Sequence, residues 1–193
     1  MLGLYTAAIY RLALPFVRLR ISPNTVSLFG VVLAASVPAL ARVGGRSILL
    51  AALLCLLSGL TDGVDGAVAA LTRRATPLGA VVDAVCDRAA DFCLVGAMTL
   101  LHGPAWLGVG AAAAIFALEY TRARAAGAGM QQVGVVTVAE RPTRVIVAMM
   151  CCGYYGVNPG GGAWVSTICL TALLVLTIIG FIQLWWWLIR HLR

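Results

Sequence analysis

Lysine is absent from this 193-residue chain, and charge of either sign is scarce: 14 basic residues, all arginine, and 7 acidic ones make up 11% of the sequence. In a soluble domain roughly a quarter of the residues are charged, and they clothe the core against water. Here 62% of residues are apolar and the mean hydropathy is +0.98. The outside must therefore meet lipid, which excludes an ordinary soluble domain and makes the chain an integral membrane protein. Histidine occurs twice, at His102 and His191, too far apart to suggest a shared metal site. The cysteines, at 55, 86, 93, 151, 152 and 169, form no C-x-x-C pair, so they read as small buried apolar residues and not as a zinc or disulfide framework. A signal-peptide pattern is missing too, because Arg11, Arg18 and Arg20 interrupt the first apolar residues and no small-residue cleavage site follows. The arginines are dispersed between apolar runs. The chain's net charge of +7 suits anionic headgroups or phosphorylated substrates, while that dispersal argues against nucleic acid as a partner.

What is present sorts into an all-α membrane architecture. Residues 1–21 mix apolar residues with arginine and contain Pro15, the pattern of an amphipathic helix lying in the membrane interface. Ser22-Pro23-Asn24 then signals a helix start. The apolar runs at about 25–41, 47–71, 77–101, 104–125, 142–157 and 163–189 predict six transmembrane helices over a single domain, 22–193. Six crossings put both termini on one side together with eleven arginines, leaving Arg42 and Arg46 opposite and Arg88 within the third span. The positive-inside rule makes that side the cytoplasm, for a multi-pass protein of the cell membrane, and Trp185-Trp186-Trp187 reads as an interfacial anchor.

All five aspartates fall between residues 62 and 91. Asp62 and Asp65 share a helix face, as do Asp83, Asp87 and Asp91. Counted from the Arg73-Arg74 turn at 1.5 Å per residue, the Asp62/Asp65 and Asp83/Asp87 pairs both lie about 16 Å deep, so a tight hairpin would put four carboxylates at one level. Four acids facing lipid would cost more than roughly 10 kcal/mol. Converging as bare anions, they would raise one another's proton affinity. Divalent cations relieve both problems, and two Mg²⁺ or Mn²⁺ ions suit four carboxylates. Pairing with Arg73, Arg74 and Arg88 for folding alone would not account for the small residues beside the acids, among them Gly63, Gly66, Ala69, Gly79 and Ala80. Those leave room for close helix packing or for a substrate.

The order Asp62-x2-Asp65-Gly66-x2-Ala69, then Gly79-x3-Asp83-x3-Asp87, resembles the signature of the CDP-alcohol phosphatidyltransferases, D-x2-D-G-x2-A-R-x8-G-x3-D-x3-D. Seven of its eight fixed positions are present, and Ala70 stands where the family has arginine. Stretches 83–88, 119–125 and 140–144 resemble the family's actinobacterial phosphatidylinositol phosphate synthase branch, and Ser22 to Ser27 looks like its N-terminal signature. The resemblance implies an enzyme of phospholipid biosynthesis that moves a phosphatidyl group from CDP-diacylglycerol to a phosphorylated polyol, foremost inositol phosphate, with release of CMP. It implies Asp62, Asp65, Asp83 and Asp87 as ligands of two Mg²⁺ or Mn²⁺ ions, Asp87 as the catalytic base, and a homodimer. Donor contacts are expected from Pro23, Asn24, Ser27, Gly66, Ala69, Thr76 and Gly79, with Arg73 and Arg74 standing in for the missing arginine. Arg122, Arg124, Arg141 and Arg144 are expected to bind the acceptor phosphate, oriented by Glu119 and Glu140, while Asp91 pairs with Arg88. Glycerol phosphate as acceptor, a cation transporter, or an inactive binding relative are the competing readings.

Overall fold

The computed structural model describes residues 2–129, 136–158, 160 and 162–191. Among them there is no strand; seven helices follow one another as α1 (Leu2–Arg18), α2 (Pro23–Val43), α3 (Ser47–Thr72), α4 (Pro77–Leu100), α5 (Ala105–Gly127), α6 (Arg141–Val157) and α7 (Trp164–His191). Their starts are written in local chemistry. Ser22 caps α2 by accepting a hydrogen bond from the Thr25 N–H at 3.2 Å, and Thr76 caps α4 by accepting from Gly79 N–H at 3.0 Å. A proline follows each cap, at a position whose missing N–H has no helical partner to lose. Gly44 and Gly45, both at positive φ, turn the chain from α2 into α3.

The expected tight hairpin of α3 and α4 does not form. α2 packs along both of them, and α3 and α4 themselves barely touch. The Ser58 hydroxyl donates to the Gly30 carbonyl at 3.0 Å across the α2–α3 seam. Interposing α2 keeps the acid-bearing faces of α3 and α4 from closing on each other along their length. α1 lies on α3 through Ile9 and Ala13, which bury against Val64, Ala67 and Val68.

α6 crosses α3, and α7 rests on α5. At the α3–α6 crossing a Cβ on Gly156 would meet the Leu49 backbone nitrogen at 2.8 Å, and one on Gly59 would meet Val145 at the same distance. Only glycine permits that approach, the usual device where helices associate in lipid. The main core, including Val37, Ala51, Cys55, Met98, Ala111, Cys151, Cys152 and Leu170, draws on every helix from α2 to α7. Outward faces expose Leu53, Leu57, Phe92, Val109, Phe116, Ile146, Ile178 and Ile182, an apolar belt suited to acyl chains.

Three helices, α2, α3 and α7, are long and apolar enough to cross a membrane on those criteria alone. α4 misses because it carries Asp83, Asp87, Arg88 and Asp91, α5 ends in charge at Glu119, Arg122 and Arg124, and α6 has only 17 residues.

Candidate active site

Carboxylate oxygens of Asp62 on α3 and of Asp83 and Asp87 on α4 all lie within 4.8 Å of one another. Asp65, also on α3, adjoins the trio through Asp83. Its Oδ2 accepts a 2.5 Å hydrogen bond from the Ser27 hydroxyl, and its Oδ1 accepts from the Gly66 N–H at 2.6 Å. α2 brings Ser27 against Asp65 and fixes its orientation. Asp83 Oδ1 is buried with no hydrogen-bond partner. A buried carboxylate oxygen left without a donor is costly unless a cation meets it. Three converging hard oxygens and one orphaned lone-pair site fit Mg²⁺ or Mn²⁺.

Beside the trio opens a cavity of about 180 Å³. Its lining comes from the start of α2 (Pro23, Asn24, Ser27), from α3 (Asp65, Gly66, Ala69), from the connection (Arg74, Ala75, Thr76) and from α4 (Gly79, Ala80, Asp83). Eight of the nine expected donor residues are there. Arg73 is the exception: it closes α3 in the left-handed conformation, φ 53°, and the chain turns at this point so that Arg74 is the arginine on the cavity wall. Gly66 faces the opening, since a Cβ added there would meet nothing within 4 Å. Gly79 lies against the start of α2, where a Cβ would lie 3.3 Å from Asn24 Oδ1. Ala80, one of the small residues noted beside the acids, lines the cavity, and Ala75 joins it without a signal in the sequence.

The four arginines expected to bind an acceptor do not form one patch. Arg144 is buried, with 2% of its side chain exposed, and spends its donors inside the protein: Nη1 to Asp91 at 2.8 Å, Nη2 to Glu119 at 2.5 Å and Nε to the Ala139 carbonyl at 2.9 Å. Arg122 is clasped by Glu140 through bonds of 2.8 and 3.2 Å. Arg124 is exposed, and Arg141 reaches the acid trio, pairing with Asp62 at 2.8 Å and with Asp87. Arg88, not assigned a site role from the sequence, lies 3.3 Å from Asp91, 3.4 Å from Glu119 and 3.8 Å from Asp87. Asp91 does pair with Arg88, as expected. Arg88, Arg122 and Arg144 thus balance Asp91, Glu119 and Glu140 in a closed ion network behind the trio. Its mutual contacts join the consecutive helices α4, α5 and α6.

Glu140 lies outside the apolar runs, at the entry to α6. Burial acts to raise its pKa, but hydrogen bonds from Arg122 and from Thr137 outweigh that and hold the carboxyl below its ordinary value. The loop that carries it docks on α7, where the Val138 N–H donates to Gln183 Oε1 at 3.2 Å.

Fold and site together define a polytopic helical membrane protein with a carboxylate centre at the edge of a substrate-sized cavity. The CDP-alcohol phosphatidyltransferase family model matches residues 20–189, and the chain belongs to that family of transferases. It is 31% identical to a phosphatidylinositol phosphate synthase of Corynebacterium glutamicum over 74% of this chain and 67% of the relative. It is 29% identical to one of Mycobacteroides abscessus over 86% of this chain and 76% of the relative. Its fold matches Mycobacterium tuberculosis phosphatidylinositol phosphate synthase with CDP-DAG bound, with a TM-score of 0.72 at 22% identity, covering 91% of this chain and 90% of the other. The same enzyme in complex with manganese and citrate matches with a TM-score of 0.71.

Proposed function

We propose that the protein transfers the phosphatidyl group of CDP-diacylglycerol to a hydroxyl of a phosphorylated polyol, inositol phosphate foremost, and releases CMP. The observation that carries this reading is the juxtaposition of the Asp62–Asp83–Asp87 oxygens with a cavity whose wall carries Arg74 and the capped helix start of α2. Family membership and the relatives' activity support it.

In this reading Gly66 and Ala69 leave space for the cytidine, and Arg74 and the Thr76 hydroxyl hold phosphate oxygens. Two Mg²⁺ or Mn²⁺ ions, held by Asp62, Asp83 and Asp87 with Asp65 beside them, would neutralise the pyrophosphate and the charge growing on the departing CMP. Asp87 takes the proton of the attacking hydroxyl. The new bond joins that oxygen to the phosphatidyl phosphorus, and the bond to the CMP oxygen breaks. Arg141, at the start of α6, lies on the side from which an acceptor phosphate would approach.

The chain is read as six spans in the cell membrane with α1 in the interface and both termini cytoplasmic, on the strength of the arginine distribution. A homodimer is proposed from the family resemblance. CMP release by purified protein given CDP-diacylglycerol, Mn²⁺ and either inositol phosphate or glycerol phosphate tests the proposal and separates the two acceptors. Cation flux without CMP release would replace it with a transporter.

A further inference from the structure

We infer that Gln183 and Gly180, in the second half of α7, are positioning residues: they seat the loop that leads into α6 and so set the geometry of the acceptor half of the site. The inference rests on the proposed transfer reaction. Its ground is a polar residue in an apolar place. From residue 178 to residue 189 the only side chain of α7 with a hydrogen-bonding oxygen is that of Gln183, and this oxygen, Oε1, accepts from the Val138 N–H at 3.2 Å. Non-helical backbone beside apolar helices has to draw its hydrogen-bond partners from neighbouring protein, and Gln183 supplies one. Gly180 lies one turn earlier on the same face of α7. A Cβ there would stand 3.1 Å from Ala139 Cβ and 3.3 Å from Thr137 Oγ1, closer than ordinary contact, so glycine lets the loop lie against the helix. Thr137 and Ala139 are buried, and Ala139 joins Leu118, Ala125, Leu184 and Leu188 in one apolar cluster between α5 and α7.

Seated in this way, the loop sets the charged groups on either side of it. Thr137 donates to Glu140 Oε1 through its N–H at 2.8 Å and its hydroxyl at 3.0 Å, and the same oxygen accepts from Arg122 Nη2 at 2.8 Å. The Ala139 carbonyl accepts from Arg144 Nε at 2.9 Å. The loop therefore holds Arg122 of α5 together with the first turn of α6. The donor cavity is built elsewhere: among the described residues its lining runs from Pro23 to Asp83, on α2, α3, α4 and the connection between α3 and α4. Loosening the loop disturbs the acceptor half and spares the donor half. The other face of α7 meets lipid, with Ile182 and Trp186 exposed.

The test is steady-state CMP release by the full-length protein in detergent, with donor and acceptor varied separately. Gln183→Met keeps the side-chain length and removes the accepting oxygen. It should raise the acceptor KM about fivefold, the worth of one hydrogen bond, and leave kcat and the donor KM within about twofold of wild type. Gly180→Ala should raise the acceptor KM too, whereas Ile182→Ala, on the lipid face, should leave both KM values within about twofold. Amide hydrogen exchange over residues 136–140, read by mass spectrometry, should quicken about fivefold in Gln183→Met and in Gly180→Ala. Equal changes in the two KM values, an unchanged acceptor KM, or unchanged exchange overturns the inference. If Gln183→Met fails to fold, Gly180→Ala decides by the same readings. If wild type releases no CMP with inositol phosphate or glycerol phosphate, the transfer reading falls, and the seating of the loop on α7 stands or falls by the exchange alone.

Discussion

Removing Arg144 should unfold the centre of this protein without touching the acid trio. Arg144 is 2% exposed and its partner Asp91 4%, and their 2.8 Å contact is joined by a 2.5 Å bond to Glu119. Taking away one partner of a buried pair leaves its counterpart desolvated and uncompensated, which costs about 3–5 kcal/mol. The lower end applies to Arg144→Met, because Arg88 remains 3.3 Å from Asp91 and 3.4 Å from Glu119. For a chain of this size about 3 kcal/mol corresponds to a fall in melting temperature of roughly 6–12 °C. The assay is thermal unfolding of the detergent-solubilised protein, read as the surviving monodisperse fraction in size-exclusion chromatography. Arg144→Met/Asp91→Leu should recover much of the loss, since neither charge is then buried alone. A single variant that loses less than about 1 kcal/mol, the scale of an exposed pair, would refute the reasoning, as would a double variant no more stable than the single.

Arg74→Ala should weaken CDP-diacylglycerol binding about 10- to 100-fold, the worth of a charged hydrogen bond, whereas Arg73→Ala should change it by less than about twofold; equal effects in a lipid-binding assay would contradict the assignment of the cavity wall. Gly66→Leu should leave the melting temperature within about 2 °C of wild type, since its side chain grows into open space, yet abolish donor binding; a retained donor affinity would remove the nucleotide from that cavity. Asp83→Asn and Asp87→Asn should each stop CMP release in the radiolabelled-donor assay, and chelation followed by Mn²⁺ should stop and restore it in wild type. The folded Glu140 pKa lies below its ordinary 4.5, so its bonds to Arg122 and Thr137 stabilise fully above that value and fade as pH falls through the lower folded one. Melting temperatures of Glu140→Gln should therefore fall less than those of wild type between about pH 5 and pH 3, and parallel curves would sink that account.

The helices and the acids were legible because both are local properties of the chain. Apolar run length locates the helices, and the Ser22-Pro23 start marks α2 from a few consecutive residues. The spacing of Asp62, Asp65, Asp83 and Asp87 told which helix faces carry the carboxylates. The hairpin inference failed for an equally definite reason: chain adjacency suggested that α3 and α4 pair, but α2 competes successfully for both surfaces. The acceptor arginines were read as one group because they sit close in sequence, whereas burial separates Arg144 from Arg124.

By itself the sequence determined the membrane environment, the helical class and the carboxylate centre, since hydropathy, helical period and residue spacing need no knowledge of which helix lies beside which. Only the tertiary structure decided that Ser27 orients Asp65, that Arg74 and not Arg73 faces the cavity, and that Arg141 reaches the trio while Arg144 is locked behind it. Those outcomes depend on contacts between residues 38 to 79 positions apart and on a single left-handed turn, which short-range pattern cannot encode.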